Sequence, residues 1–386
     1  MIWSYASAVF LSLYSLSILK SVYISAINDL VTDQRVGRIA RLLSELGFDV
    51  HCIGRRLKES PGTVNITYKV RRYRMLFKGG PLFYVFFNLR LTTTLLFVKK
   101  PSLLISNDLD TLSANFLVSR IRRVPMIYDS HELFTQVPEL IHRPFVQSVW
   151  KWIEGRILPK LKYTVTVNYS IATIYNKLYG TRFRVVRNVP ERIVSPLVEK
   201  DRSRSHTIIY QGALNVGRGL ELMIKCMQYL ENTRFLIVGR GDIEEKLKNM
   251  AAQENLGDRV EFLGRMMPEE LKPVTGSADL GISLEEDMGL NYRYALPNKL
   301  FDYIQSQIPV LCSKLPEMSR IVESYGIGIA TAEKDPEKLA GIIRYMLMER
   351  SRGAWREALR TAALELCWED EAKIYLGLLK ECGVLN

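Results

Sequence analysis

The chain has 386 residues, a formal net charge of +12, 47% hydrophobic residues and five cysteines. Its length exceeds what one hydrophobic core usually serves, so two domains are expected, each able to bury a sizeable core. Cys52, Cys226, Cys312, Cys367 and Cys382 are odd in number and lack metal-ligand spacing, and the first three lie inside apolar runs; this is thiol usage of a reducing compartment and speaks against a disulfide-stapled or metal-centred protein.

Residues 1–19 contain no charge. They include no basic n-region, serines interrupt them, and a strand-like run at 22–26 follows at once. The segment therefore reads as an interfacial or packed helix, or an early start, rather than a signal peptide or spanning helix. Val36, Ile39, Ala40, Leu43 and Leu46 then share one helical face closed by Gly47, and a buried strand follows at 50–53. Strand-like runs recur at 103–106, 124–129, 164–167 and 183–187 with helical stretches between them, the alternation of a doubly wound parallel sheet.

Charge is unevenly placed. Residues 1–200 hold 29 Lys/Arg against 13 Asp/Glu and the remainder 24 against 28, which puts +16 on the first part and −4 on the second. Residues 55–100 concentrate this, with eleven cations opposed by Glu59 alone and with Tyr73, Phe77, Phe83, Tyr84, Phe86, Phe87 and Phe97 interleaved. Such a surface suits nucleic acid or an anionic membrane. The compact run 82–87 favours the membrane, because an RNA-stacking platform spreads its aromatics along strands. Individually, these Phe residues are expected in the core, with the cations as its solvated rim.

The polar segment 199–205 reads as an interdomain linker, and a second alternating set follows at 208–211, 235–238, 260–263, 278–284, 308–312 and 327–329. Two similar α/β domains in tandem imply a ligand between them, at the C-terminal ends of the strands. Tyr292 through Tyr303 lies between two of the later strands. There Pro297 suits the N1 position of a helix, and Asn298 and Lys299 fall on its first turn, where backbone N–H groups attract anions. Lys299 adds a full charge, and Asp302, one turn on, can accept two hydroxyl hydrogen bonds such as a ribose offers. Gly212 ends the first strand of this set, with Arg218-Gly219 opening the helix behind it; Gly239-Arg240-Gly241-Asp242 is another strand-to-glycine turn on the same edge. In the first domain Asp129-Ser130-His131-Glu132 places one of four histidines at a strand's C-terminal end, while Asn107-Asp108 reads as a helix cap. The bland alternatives are a capped surface helix, tight βα turns and a satisfied loop histidine. No Ser–His–Asp spacing, His/Cys cluster, P-loop or dinucleotide fingerprint is present, which argues against hydrolase, metalloenzyme, NTPase and dehydrogenase chemistry.

Taken in order, Asp33-Gln34-Arg35-Val36-Gly37-Arg38, Tyr128-Asp129-Ser130-His131-Glu132, Arg187-Asn188-Val189-Pro190, Gly212 with Arg218-Gly219, Val238-Gly239-Arg240-Gly241 and Pro297-Asn298-Lys299-Leu300-Phe301-Asp302-Tyr303 resemble a GT-B-fold retaining glycosyltransferase of family 4, over nearly all of residues 20–386. The closing Cys367-Trp368-Glu369-Asp370-Glu371-Ala372 with Tyr375-Leu376 is similar to that family's terminal helix. The resemblance implies an α/β GT-B fold, two Rossmann-like doubly wound parallel-sheet domains facing a central cleft. An acceptor-binding domain would span 20–200, a donor-binding domain 201–365, and a helix crossing back to the first domain 366–386. It implies a nucleotide-diphosphate sugar as donor substrate, no cofactor and no metal, so that cationic side chains neutralise the leaving diphosphate.

By position, Arg218 matches the basic residue of the family's Lys/Arg-Gly step, and Asp302 the second Glu of its Glu, seven residues, Glu motif. The first Glu is replaced by Tyr294, with Glu285, Glu286 and Asp287 upstream; either an insertion displaces that carboxylate or its sugar contact is lost. Ala213 stands where a second basic residue is usual, which leaves Lys299 as the second phosphate cation, and the first loop's glycine pair is reduced to Gly37. The assignment implied is retaining transfer from a UDP- or GDP-sugar with His131, Arg218 and Lys299 catalytic. Gly212, Arg218, Gly239, Gly241, Glu286, Asn298, Lys299 and Asp302 would bind the donor, and Asp33, Arg35, Gly37 and Glu132 would lie on the acceptor side. The basic first domain points to a lipid-linked glycan or glycolipid acceptor, met at the cytoplasmic face of an anionic membrane, with no nucleic acid partner. A GT-B-fold sugar-nucleotide epimerase and a basic nucleic-acid-binding protein are the rival readings; the latter leaves the second domain's anion site unexplained.

Overall fold

A computed structural model describes residues 20–385 apart from 32, 59, 61–65 and 194–204. The segment 1–19 and all but Ser205 of the linker reading lie outside the described residues. In chain order the first sheet system comprises β1 (Ser21–Ser25), α1 (Gln34–Glu45), β2 (Asp49–Arg55), β3 (Lys69–Tyr73), α2 (Gly80–Phe97), β4 (Leu103–Asn107), α3 (Asp108–Arg122), β5 (Met126–Ser130), α4 (Pro144–Ile157), β6 (Tyr163–Thr166), α5 (Tyr169–Tyr179) and β7 (Arg184–Val185). The strands form a parallel seven-stranded sheet in the order β3-β2-β1-β4-β5-β6-β7. Apolar runs such as Val22, Ile24, Leu103, Leu104 and Ile105 are fully buried, as strands covered on both faces require.

Strand β3 has no counterpart in the sequence reading. Its five residues Lys-Val-Arg-Arg-Tyr carry three cations, and Tyr73 alone is fully buried; a strand at a sheet edge keeps its outer side polar, which erases the apolar run that marks an inner strand. Over α2 the aromatic run divides. Phe83, Phe87, Leu91 and Leu95, four residues apart, form the buried stripe, while Leu82, Val85, Phe86 and Leu89 are exposed. Some cations of this region lie on ring faces: the Arg55 guanidinium stands 4.9 Å from the Phe83 centroid and that of Arg90 4.4 Å from Tyr73.

The second system runs β8 (His206–Gln211), α6 (Leu220–Cys226), β9 (Thr233–Val238), α7 (Glu244–Gln253), β10 (Val260–Gly264), α8 (Pro268–Ser277), β11 (Leu280–Ser283), α9 (Asn298–Gln305), β12 (Val310–Ser313), α10 (Pro316–Tyr325), β13 (Gly328–Thr331), α11 (Pro336–Leu347), α12 (Glu349–Glu365) and α13 (Trp368–Glu381). Its parallel six-stranded sheet has the order β10-β9-β8-β11-β12-β13. Alternate residues feed two cores, Ile208, Tyr210, Phe235 and Ile237 on one face and Ile209, Leu236 and Val238 on the other. In each sheet the order reverses beside one strand, β1 between β2 and β4 and β8 between β9 and β11, the place where doubly wound sheets open a crevice at their C-terminal edge.

By packing, the chain divides into two compact units, one of Met1–Asp129, Ile153–Thr164 and Lys380–Asn386, the other of Ser130–Trp152 and Val165–Leu379. No helix among the described residues is long and apolar enough to cross a membrane. All five cysteines are free thiols.

Candidate active site

The second sheet's reversal point collects the residues of greatest chemical interest. Lys299, on the first turn of α9, is only 7% exposed; its ammonium lies 2.7 Å from Glu285 Oε1 and 3.9 Å from the Tyr210 ring centroid. Arg218 approaches the same carboxylate oxygen at 3.8 Å and stands 5.3 Å from the Tyr292 ring. The Ser283 hydroxyl donates to Glu285 Oε2 at 2.7 Å. Burial by itself would raise the Glu285 pKa, but Lys299, Ser283 and Arg218 together hold it below the ordinary Glu value. Two cations thus meet at one point, joined by a buried carboxylate just beyond β11.

The glycines shape this edge by close backbone approach. Gly212 has φ 138° and Gly239 φ 144°, and a Cβ on Gly239 would fall 1.8 Å from the Gly212 carbonyl oxygen. A Cβ on Gly241 would meet the Leu214 carbonyl oxygen at 2.4 Å, and one on Gly219 that of Leu284 at 2.3 Å. The two βα loops therefore run backbone against backbone, continuing the β8–β9 ladder through Gly212 N–H to Val238 O (2.9 Å) and Leu214 N–H to Arg240 O (3.0 Å). At Gly212 a Cβ would stand 3.9 Å from Lys299 Nζ, so the bare turn borders the cation.

Asp302 is half-buried and accepts from Gln211 Nε2 at 2.7 Å, while Gln211 Oε1 accepts from Thr275 at 2.7 Å, which fixes the carboxylate at the end of β8. Asn298 is exposed. Pro297 takes the N-cap position with extended ψ of 138°, one residue before the N1 position expected of it; its fixed φ suits both, and helix starts shift by a residue easily. Glu286 is exposed and its backbone N–H donates to the Gly217 carbonyl at 2.8 Å; the buried carboxylate is its neighbour Glu285. Glu285 carries a readable sequence signal, an acid directly after a buried strand with a lysine on the next helix's buried face.

His131 and Glu132 follow β5, both half-buried. Asn291, in the single helical turn Leu290–Arg293, donates to Glu132 Oε2 at 2.9 Å and accepts from the Leu133 N–H at 3.1 Å. Its neighbour Tyr292 faces Arg218. That turn therefore ties the histidine loop and the arginine to adjacent residues, a role sequence patterning did not reveal.

In the other unit, Asp33 caps α1 by accepting from the Val36 N–H at 3.0 Å and from Asn28 at 2.7 Å. Arg35 is turned inward: 1% exposed, it forks onto Asp129 with NH2–Oδ1 at 2.7 Å and Nε within 3.1 Å of both oxygens. Gly37 packs beneath Tyr68, whose hydroxyl would stand 3.5 Å from an added Cβ. Asn107 holds the cap position of α3, yet its side chain donates to the Ser25 carbonyl at 3.0 Å, joining β4 to β1 at the sheet's reversal point.

Two doubly wound parallel sheets, with cations gathered at the reversal point of the second, define the GT-B class. Residues 198–363 match the family of Glycosyl transferases group 1, and residues 33–189 match Glycosyltransferase Family 4. The chain belongs to the GT-B glycosyltransferases of the family 4 type. It is 28% identical over 142 residues to the probable glycosyltransferase WbjE of Pseudomonas aeruginosa, covering 35% of this chain and 34% of that one, so the match spans about a third of that relative. Over 413 aligned residues it is 22% identical to the chitobiosyldiphosphodolichol beta-mannosyltransferase of Kluyveromyces lactis, covering 89% of each. The Anabaena protein Alr3699/HepE, solved in complex with UDP-glucose, shares the fold with a TM-score of 0.70 at 14% identity, covering 95% of this chain and 100% of that one.

Proposed function

We propose that this protein transfers a sugar from a UDP- or GDP-sugar to a hydroxyl of a lipid-linked glycan or glycolipid, with retention of configuration and without a metal ion. The convergence of Lys299 and Arg218 on Glu285 at the C-terminal edge of β8 and β11 carries this reading, because it fixes two cations where a diphosphate would meet the first turn of α9. Gly212, Gly239 and Gly241 leave the backbone bare beside them, and Asp302, oriented by Gln211, faces the ribose. His131, on the loop held by Asn291, contacts the transferred sugar. In the reaction the bond from the sugar's anomeric carbon to the diphosphate oxygen breaks, and the acceptor oxygen bonds to that carbon on the same face. The acceptor's proton passes to the departing diphosphate, whose added charge Lys299 and Arg218 stabilise.

In this reading residues 20–200 receive the acceptor and 201–365 the donor. The acceptor class is supported by the excess of cations in residues 1–200, by the exposed apolar side of α2, and by the relative whose name specifies mannosyl transfer to a diphosphodolichol-linked sugar. These features favour action at the cytoplasmic face of an anionic membrane. Incubating the purified protein with a panel of sugar nucleotides, with and without membrane lipid extract, tests the proposal. Lipid-dependent transfer giving a product of unchanged anomeric configuration is expected. Conversion of the sugar nucleotide without acceptor would mean an epimerase; an inverted product, or activity abolished by a chelator, would overturn retention or metal independence respectively.

A further inference from the structure

The unit containing α3 has an open, solvent-facing cavity of about 380 Å³ at the N-terminal ends of β5 and β6, and the four cations on it are exposed. Asn107 and Asp129 mark the opposite edge of the same sheet; a strand rises about 3.3 Å per residue, so the four steps of β5 separate the two edges by roughly 13 Å. Phe116 and Tyr163 form apolar walls, Arg120, Arg123, Lys160 and Lys162 line the cavity, and no carboxylate does. The Arg120 guanidinium stands 5.2 Å from the Phe116 centroid and donates to the Lys160 carbonyl at 3.3 Å, while the Lys162 ammonium lies 5.1 Å from the Tyr163 centroid. None of the four cations forms an ion pair among the described residues.

The C-terminus of α3 attracts cations and accounts for Arg120 and Arg123. It does not account for Lys160 and Lys162, which arrive from a separate segment and add like charge to the same space. Such a cluster is stabilised by an anion, and a cavity of this volume is of small-molecule size. We propose that it binds a phosphate ester with a body about the size of glycerol. A soluble glycerol or sugar phosphate and the headgroup of an anionic lipid present this same chemistry.

The full chain is titrated with glycerol 3-phosphate by calorimetry, and separately co-sedimented with phosphatidylglycerol and with phosphatidylcholine vesicles. Each measurement is repeated for Lys160→Glu/Lys162→Glu and for the charge-matched Lys272→Glu/Lys334→Glu, whose lysines are exposed in the other unit. The cavity variant should lose at least about tenfold in affinity, as expected for cations near an anionic surface, while the control keeps its affinity. Loss of glycerol phosphate binding identifies a soluble ester, and loss confined to phosphatidylglycerol vesicles identifies a lipid headgroup. Equal loss in both variants, no loss in either, or a wild-type chain that binds neither ligand overturns the proposal. Should the double reversal lower the thermal midpoint, Lys160→Gln/Lys162→Gln gives the same discrimination with less repulsion. Sugar transfer that persists in the cavity variant leaves the reaction proposed above untouched.

Discussion

Lys299 is a cation buried on the inner face of α9, and burying an unpaired ammonium is costly enough that a partner must be present. Glu285 is that partner at 2.7 Å, so the pair is structural and, in the proposed reaction, functional. Lys299→Ala should lower sugar transfer roughly 10²–10³-fold, the usual loss when one transition-state charge contact is removed; turnover close to wild type in a folded variant would remove Lys299 from the mechanism. Glu285→Gln leaves Lys299 without its counter-charge and should cost about 3 kcal/mol in urea unfolding. The Glu285 pKa is held below its ordinary 4.5, so its stabilisation is fully present above that pH and disappears as pH falls through the depressed value. The stability of Glu285→Gln should therefore depend less on pH than wild type below pH 4.5, and unfolding curves that stay parallel there would contradict the pairing. Asn291 holds both the Glu132 carboxylate and the Leu133 N–H, so Asn291→Ala should lower transfer while calorimetry finds nucleoside diphosphate affinity nearly unchanged. A proportional loss of nucleotide affinity would place the 131–133 loop in nucleotide binding.

At the scale of elements, glycines decide how the second sheet presents its edge. Gly239 has φ 144° and no room for a Cβ against the Gly212 carbonyl, so Gly239→Ala imposes both strain and a backbone clash. It should destabilise by about 3 kcal/mol or more, read as a lowered denaturation midpoint; an unchanged midpoint would mean that the two loops separate easily. Much of this was legible. Gly212, Gly239 and Gly241 stand after apolar strands, and that local pattern marks a tight βα turn wherever it occurs. Strand β3 was not legible, because edge position suppresses the apolar alternation by which strands are recognised. Nor was the division of α2, whose neighbours Phe86 and Phe87 are equally hydrophobic in sequence and opposite in exposure. Helix phase relative to the sheet separates them.

At the scale of the whole molecule, the +16 charge on residues 1–200 against −4 on the rest is a long-range property that a salt titration reads directly. The protein should co-sediment with anionic vesicles and be released as salt rises, each basic residue near the surface contributing about 1 kcal/mol, while neutral vesicles bind it poorly. Equal binding to both vesicle types would show apolar insertion to dominate.

The tandem α/β plan, the two sheets' inner strands and the cationic turn at Lys299 follow from sequence by itself, since each rests on periodicity or on neighbours a few residues apart. Tertiary structure alone decided which polar groups are partners. It turned Arg35 inward onto Asp129, 94 residues away, buried Glu285 while leaving Glu286 exposed, and brought Asn291 to Glu132 across 159 residues. An apolar side chain declares its burial by its own chemistry. A charged one is buried only where a partner and its hydrogen bonds are supplied from elsewhere in the chain, and that supply exists only once the fold has formed.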